Sequence, residues 1–284
     1  MNRAKLLILL LLVSCRAVAQ FNIWEDTDCR RKVALTPYLA EGSGNIAVIV
    51  LPGGSYFWHS EVTEGSMVAQ WLQSNGISAF VLNYRTAKMP AFLFRYRYIF
   101  RGTRYPDAQN DLRRALRVIK SRGSEYGIDT SKIGVMGFSA GGHLALSSAV
   151  LFPPQEWPSF IASLYPVVTM EGKYVHKRSR RALLGENRSH NVKMRDSLSI
   201  EKHIPAGMPP TFLVNCKDDS VVDYHNSILL DSALSAKNVP HLYLRFNSGG
   251  HGFGADDKKG SSESATWKEE FLLWIDKILE ESVE

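Results

Sequence analysis

The sequence predicts an α/β domain with a mostly parallel central sheet and helices on both faces. Three observations predict it. From residue 46 onward, apolar runs of strand length alternate with segments of helical period, the order that gives parallel strands joined by helical crossovers. The runs are continuous, as in "NIAVIVL" (residues 45–51), which suits strands buried on both faces. The length, 284 residues, is enough for one large core without disulfide staples.

The elements follow in order. After the strand over 45–51, "EGSMVAQWLQSNG" (64–76) places Met67, Val68, Trp71 and Leu72 at helical spacing and stops at Gly76. "ISAFVLNY" (77–84) is the next strand. "PDAQNDLRRALRVIKSRG" (106–123) is a helix that opens on Pro106, buries Leu112, Leu116 and Ile119, and ends at Gly123. "IGVMGFS" is a strand running into a turn. "FIASLYPVV" (160–168), "TFLVNCK" (211–217) and "HLYLRFN" (241–247) are further strands, with a helix over 225–237 before the last. "TWKEEFLLWIDKILEE" (266–281) closes the chain as an amphipathic helix with Phe271, Trp274, Ile275 and Ile278 on one face. Two insertions, 88–105 and 169–208, leave from strand carboxyl ends, the side on which open α/β sheets take ligands.

Residues 1–19 lie outside this pattern. Arg3 and Lys5 precede an apolar run over 6–13, and Ala17-Val18-Ala19 stands before Gln20. That is the layout of a secretory signal peptide, and the run is shorter than the roughly 20 apolar residues of a membrane span. The sequence therefore predicts export to the periplasm or beyond the cell, with residues 20–284 forming the folded domain. Leu12-Val13-Ser14-Cys15 also resembles a bacterial lipobox. Lipidation at Cys15 would make the product a membrane-anchored lipoprotein, but simple cleavage after Ala19 is the preferred reading. Removing 1–19 takes away three cations and no acid, lowering the formal net charge from +6 to +3, a value that gives no reason to expect a nucleic-acid partner. It also leaves only Cys29 and Cys216, of which Cys216 sits in a strand and is expected as a free thiol.

The chemistry starts from "KIGVMGFSAGGHLALSSAV" (132–150), with Ser139 in a G-x-S-x-G turn between strand and helix. The pattern arises by chance about 0.1 times in a chain this long, so partners are required. A base is expected late in the chain, and His251 lies in "FNSGGHGFG" (246–254) after the last strand. His143, four residues past Ser139 on the same helix, packs beside the turn instead. The orienting acid is expected between them in the order Ser…Asp…His. "LVNCKDDSVVDYHNS" (213–227) offers Asp218, Asp219 and Asp223. Asp219 is chosen, with Asp218 the runner-up. An anion hole is expected in "VLPGGSYFW" (50–58), with the amides of Gly54, Ser55 and Ala140 as donors. With no HExxH and no Cys/His ligand cluster, the chemistry needs neither metal nor cofactor.

The segments "PGGSYFWHSEVTEG", "GISAFVLNYR", "RYPDAQNDLRRAL", "YGIDTSKIGVMGFSAGGHLA", "SRRALLGEN", "PPTFLVNCKDDSVV" and "GGHGFG" resemble the α/β-hydrolase esterases of the acetylxylan-esterase and feruloyl-esterase (BD-FAE-like) group, related to hormone-sensitive-lipase-like carboxylesterases. The resemblance implies the α/β-hydrolase fold, with Ser139 as nucleophile, Asp219 as acid, His251 as base, and oxyanion amides at Gly54 and Ser55. The sequence departs from the related lipases at Pro52, where histidine is usual, at Ser55, where a third glycine is usual, and at Asp223, where proline is common. The implied function is a secreted serine esterase that removes acetyl or other short acyl groups from polysaccharide or oligosaccharide. A general short-chain carboxylesterase or peptidase-like hydrolase is the alternative within enzymes. A non-catalytic binding protein of the same fold is the alternative outside them.

"AFLFRYRYIFR" (91–101) alternates rings with other side chains, which aligns Phe92, Phe94, Tyr96, Tyr98 and Phe100 if the segment is extended. It reads either as a flap that contacts a sugar chain or as a cover whose rings pack on the sheet edge. Tyr56, Tyr96 and Tyr98 are the candidate substrate contacts. Lys177, Arg178, Arg180 and Arg181 could attract an acidic polysaccharide, but the preferred reading is a solvated helix start.

Overall fold

The computed structural model describes residues 19–27, 32–41 and 45–280. The expected signal segment, Cys15 and Cys29 lie outside the described residues, apart from Ala19. The eight strands are β1 (Phe21–Asn22), β2 (Ala34–Tyr38), β3 (Ala47–Leu51), β4 (Ser78–Leu82), β5 (Ile133–Phe138), β6 (Ile161–Leu164), β7 (Thr211–Cys216) and β8 (His241–Phe246), and they form one sheet in the order β1-β2-β4-β3-β5-β6-β7-β8. From β4 to β8 every pairing is parallel, while β1 and β2 are antiparallel at one edge. The helices are α1 (Met67–Ser74), α2 (Lys88–Leu93), α3 (Asp107–Ser121), α4 (Gly123–Tyr126), α5 (Ala140–Leu151), α6 (Lys177–Leu184), α7 (Val192–Ser197), α8 (His225–Ala236), α9 (Ser262–Ala265) and α10 (Trp267–Glu280). This is the α/β-hydrolase architecture. None of the described helices is long and apolar enough to cross a membrane.

Successive strand residues point to opposite faces, and β3 shows what that does to the core. Ala47, Ile49 and Leu51 join one apolar layer, with Leu112 and Leu116 of α3, Leu144 of α5 and Leu230 of α8. Val48 and Val50 join the other, with Val68 and Leu72 of α1 and Phe271, Trp274 and Ile275 of α10. Every residue of β3, β4, β5 and β7 is buried, which is why their sequences are apolar without alternation.

Two features depart from the sequence expectation. The sheet begins earlier than residue 46. β2 reads ALTPY, half-buried in strict alternation, and pairs with β4. Its Thr36 and Pro37 hide it from a search for continuous apolar runs. Proline is otherwise a feature of sheet edges, and here only two-residue β1 lies beyond β2.

The second departure is the 91–101 segment, which is not extended. Lys88–Leu93 is helical and Tyr96–Tyr98 forms a single 3-10 turn, so the aligned ring face that an extended segment would give does not exist. Phe92 turns inward, edge-on to Phe57 at 5.3 Å and Trp58 at 5.5 Å between centroids. Phe94 and Phe100 are exposed. The cause is Arg97, which is fully buried. Its guanidinium donates to the carbonyls of Thr103, Ala182 and Arg181, and pairs with Glu186 at 3.3 Å. Nor is the basic run 177–181 simply solvated. Arg181 donates to the Phe92 carbonyl and lies over the Phe57 ring, so the two insertions are bolted together.

Arg97→Met leaves Glu186 buried without its cation. Removing one partner of a buried pair costs about 3–5 kcal/mol, to be read from the urea midpoint. Arg95→Met at an exposed position of the same segment should stay within about 0.5 kcal/mol of wild type.

Candidate active site

Ser139 stands between β5 and α5 with φ 54° and ψ −117°. A side-chain-bearing residue adopts that backbone only where its surroundings enforce it. They do so through close contact on both sides. A Cβ on Gly137 would lie 2.1 Å from the Gly141 carbonyl oxygen, and a Cβ on Gly141 would lie 2.1 Å from that of Leu51. Glycine at both positions is thus a requirement of the turn. The Ser139 amide donates to Leu164 O at 2.9 Å, and its carbonyl accepts from Val167 at 3.2 Å.

The structure brings the three sequence-predicted residues together. His251 Nε2 lies 2.9 Å from Ser139 Oγ, and His251 Nδ1 lies 2.6 Å from Asp219 Oδ2. A carboxylate facing Nδ1 requires the proton there, which leaves Nε2 free to accept from the serine. The other oxygen of Asp219 accepts from the amides of Val221 at 2.8 Å and Val222 at 2.9 Å, so the carboxylate cannot swing away. Asp218 does different work. It accepts from the amides of Gly249 at 3.2 Å and Gly250 at 2.8 Å, tying the histidine loop to the acid loop. Asp223 pairs with His225 instead.

The loop after β3 passes through φ 127° at Gly54, 56° at Ser55 and 61° at Tyr56. Among the described residues no protein group accepts from the amides of Gly54, Ser55 or Ala140. Ala140 opens α5, whose N-terminal dipole favours negative charge. The Gly53 amide is already committed to Glu64.

The candidate substrate contacts fare differently. Tyr56 is buried, and its hydroxyl donates to His143 Nδ1 at 2.9 Å while His143 Nε2 donates to Leu198 O at 2.9 Å. Tyr56 is therefore a correction: it braces the interior and offers no surface to a ligand. His143 is spent in the same way, away from the serine hydroxyl. Tyr96 is half-buried against the core and Tyr98 is exposed. Cys216 is a free, buried thiol, pushed up to about 12 by burial and by Asp218 and Asp219.

Two neighbours were missed in the sequence. His176, at the start of α6, bonds Ser179 Oγ at 2.8 Å, and burial, Arg178 and His251 lower its imidazole to about 4. Glu64 is buried beneath the site, where it accepts from Gly53 and from the Tyr165 hydroxyl. An acid inside a helical run normally reads as a solvated charge. The only available signal was its place just after the glycine loop.

The BD-FAE family model matches residues 36–157. The chain aligns with the solved structure of an acetyl ester-xyloside bifunctional hydrolase from Caldicellulosiruptor lactoaceticus at a TM-score of 0.79 and 31% identity, covering 92% of this chain and 96% of that one. The chain belongs to the BD-FAE family. Among curated relatives of this BD-FAE chain, the acetylxylan esterase of Xylanibacter ruminicola is 29% identical over 252 residues, which cover 88% of this chain and 49% of that protein. The endo-1,4-beta-xylanase B of Butyrivibrio fibrisolvens is 33% identical over 250 residues, 81% of this chain and 37% of that protein. The BD-FAE chain thus spans half or less of the length of the curated relatives it matches.

Two outcomes are expected. A fluorophosphonate probe, followed by intact mass, should label wild type and leave Ser139→Ala unlabelled. Asp219→Asn should slow labelling at least 100-fold by losing the fixed tautomer, and Asp218→Asn by roughly tenfold or less, since it loosens a loop only. The second concerns acid stability. Burial lowers His143 from 6.5 to about 4 in the folded chain, so across that window the unfolded chain holds the extra proton. The His143 contribution is complete above pH 6.5 and is lost as pH falls toward 4. The urea midpoint of wild type should therefore drop more between pH 7 and pH 5 than that of His143→Gln.

Proposed function

We propose that this chain is an exported serine esterase that removes acetyl or other short acyl groups from polysaccharide or oligosaccharide. The observation that carries the reading is the unbroken relay from Asp219 through His251 to the Ser139 hydroxyl. The carbohydrate class is supported by relatives named for acetylxylan and xylan chemistry. Export rests on the composition of residues 1–19 alone, and residues 20–284 are taken as one catalytic domain.

In this reading Ser139 Oγ attacks the ester carbonyl carbon as its proton passes to His251 Nε2. Negative charge gathers on the former carbonyl oxygen, and the amides of Gly54, Ser55 and Ala140, from which no described protein group accepts, are the donors assigned to it. Asp219 faces the Nδ1–H and stabilises the imidazolium that forms. The carbon–oxygen bond to the alcohol breaks, and the alcohol leaves with the proton from Nε2. Water then attacks the acyl-serine and gives its proton to the same nitrogen. The acid departs and Ser139 recovers its hydrogen. The chain's own groups supply every proton movement.

The test is acetate release from acetylated xylan, pectin, glucomannan and sialic acids, alongside p-nitrophenyl acetate, with Ser139→Ala as control. Release from an acetylated polysaccharide at least 1,000-fold above the variant is expected, the scale of loss when a triad member is removed. Turnover of the aryl ester with none of the carbohydrate esters would favour the general carboxylesterase. Turnover of neither would end the catalytic reading.

A further inference from the structure

Glu64 has no part in the relay, yet it touches the glycine loop beside Ser139 and reaches the loop that carries His251. It lies in the helical turn Val62–Ser66 that leads into α1, and it is 2% exposed. One oxygen, Oε2, accepts the Gly53 amide at 2.8 Å. A Cβ on Gly53 would stand 2.7 Å from that oxygen and 2.9 Å from the Cβ of Ser139, so carboxylate, glycine loop and nucleophile meet in one packed contact. The other oxygen, Oε1, accepts the Tyr165 hydroxyl at 2.9 Å, and that hydroxyl accepts the Gly254 amide at 3.0 Å. The Tyr165 ring rests on the His251 ring, 4.7 Å between centroids. A Cβ on Gly252, the residue after His251, would lie 3.8 Å from Oε1.

The donors around Glu64 favour its ionised form. An amide only donates. The phenol accepts from Gly254 and offers its own hydrogen to Glu64. Both carboxylate oxygens are therefore acceptors, the pattern of an ionised group. Burial holds this carboxyl above the usual carboxylate range, and His251, the Tyr165 and Gly53 hydrogen bonds and Lys259 offset part of that rise. The other titratable neighbours are neutral or already engaged. Burial, and next Glu64, hold Tyr165 and Tyr84 as phenols, and Tyr84 donates to Pro52 O. Lys259 Nζ donates to Thr63 Oγ1. His251 itself faces Asp219, Ser139, the Tyr165 ring and, more distantly, His176.

We infer that Glu64 is a positioning residue of the esterase, an ionised carboxylate that fixes the anion-hole loop against the nucleophile and favours the imidazolium at His251 as the transition state forms. The inference rests on the esterase reading above. It assigns the site a second buried negative charge besides Asp219, one that reaches the imidazole from below through Tyr165 and touches no substrate. A neutral replacement should therefore slow turnover and also make the imidazole harder to protonate.

The experiment is p-nitrophenyl acetate kinetics from pH 4.5 to 9 on wild type, Ser139→Ala, Glu64→Gln, Glu64→Asp and Tyr165→Phe. Glu64→Gln should lower kcat roughly 30-fold with KM within about twofold, because the change displaces donors to the oxyanion and leaves the groups that bind the ester in place. The acid limb of kcat/KM should move to lower pH by roughly half a unit. Glu64→Asp should keep the wild-type acid limb and recover part of kcat. A Glu64→Gln acid limb that stays in place, or a kcat within twofold of wild type, overturns the inference while leaving the esterase reading intact. Wild type turning over no faster than Ser139→Ala overturns both. Should thermal melts show Glu64→Gln unfolded, Tyr165→Phe decides. A loss in kcat of about fivefold or more at unchanged KM upholds the link between Glu64 and the histidine loop, and wild-type kcat removes it.

Discussion

The contact on which the site depends is the approach of three backbones at the Ser139 turn. β5 ends against the start of α5, and α5 in turn presses on the end of β3, with only glycine at the two touching positions. Strand pairing makes this possible. β5 lies between β3 and β6, held by hydrogen bonds on both sides, so the unfavourable φ of Ser139 is borne by the middle of the sheet. Strain of this kind is worth roughly 1–3 kcal/mol, a small load for a core with two continuous apolar layers. The result is a hydroxyl held where the imidazole can reach it.

Around that fixed point the site divides polar work among residues of similar appearance. Two adjacent aspartates serve different ends, Asp219 facing the imidazole and Asp218 holding the loop that bears it. Two histidines near Ser139 also part company. His251 reaches the hydroxyl, whereas His143 is consumed between Tyr56 and Leu198. Buried polar groups demand partners, and here that demand sorts the functional residues from the structural ones.

Much of this was legible in the sequence because it rests on periodicity and order. The central strands announce themselves by unbroken apolar runs, and the helices by their spacing. Ser139, Asp219 and His251 each follow a strand in the order the chemistry needs. The rest turned on side-chain direction. Asp218 and Asp219 differ only in which way their carboxylates face once the loop is folded. The ring pattern at 91–101 left a flap and a packed cover both open, and the burial of Arg97 against Glu186 and three carbonyls accompanies a helix and a tight turn there. Tyr56 looked available beside the glycine loop, and only the position of His143 shows that its hydroxyl is already taken. Glu64 offers little beyond its place after the glycine loop, since its partners come from residues 53 and 165, far apart in the chain.

The bonds from Asp218 to Gly249 and Gly250 make the loops after β7 and β8 a single piece. The acid and the base therefore ride together, each on a loop fastened to the other, while the nucleophile is anchored in the sheet. Breathing that moves the two loops together opens the gap between imidazole and hydroxyl and leaves the contact between imidazole and carboxylate intact. A swinging pair that returns to a stationary serine comes back with its internal alignment already set.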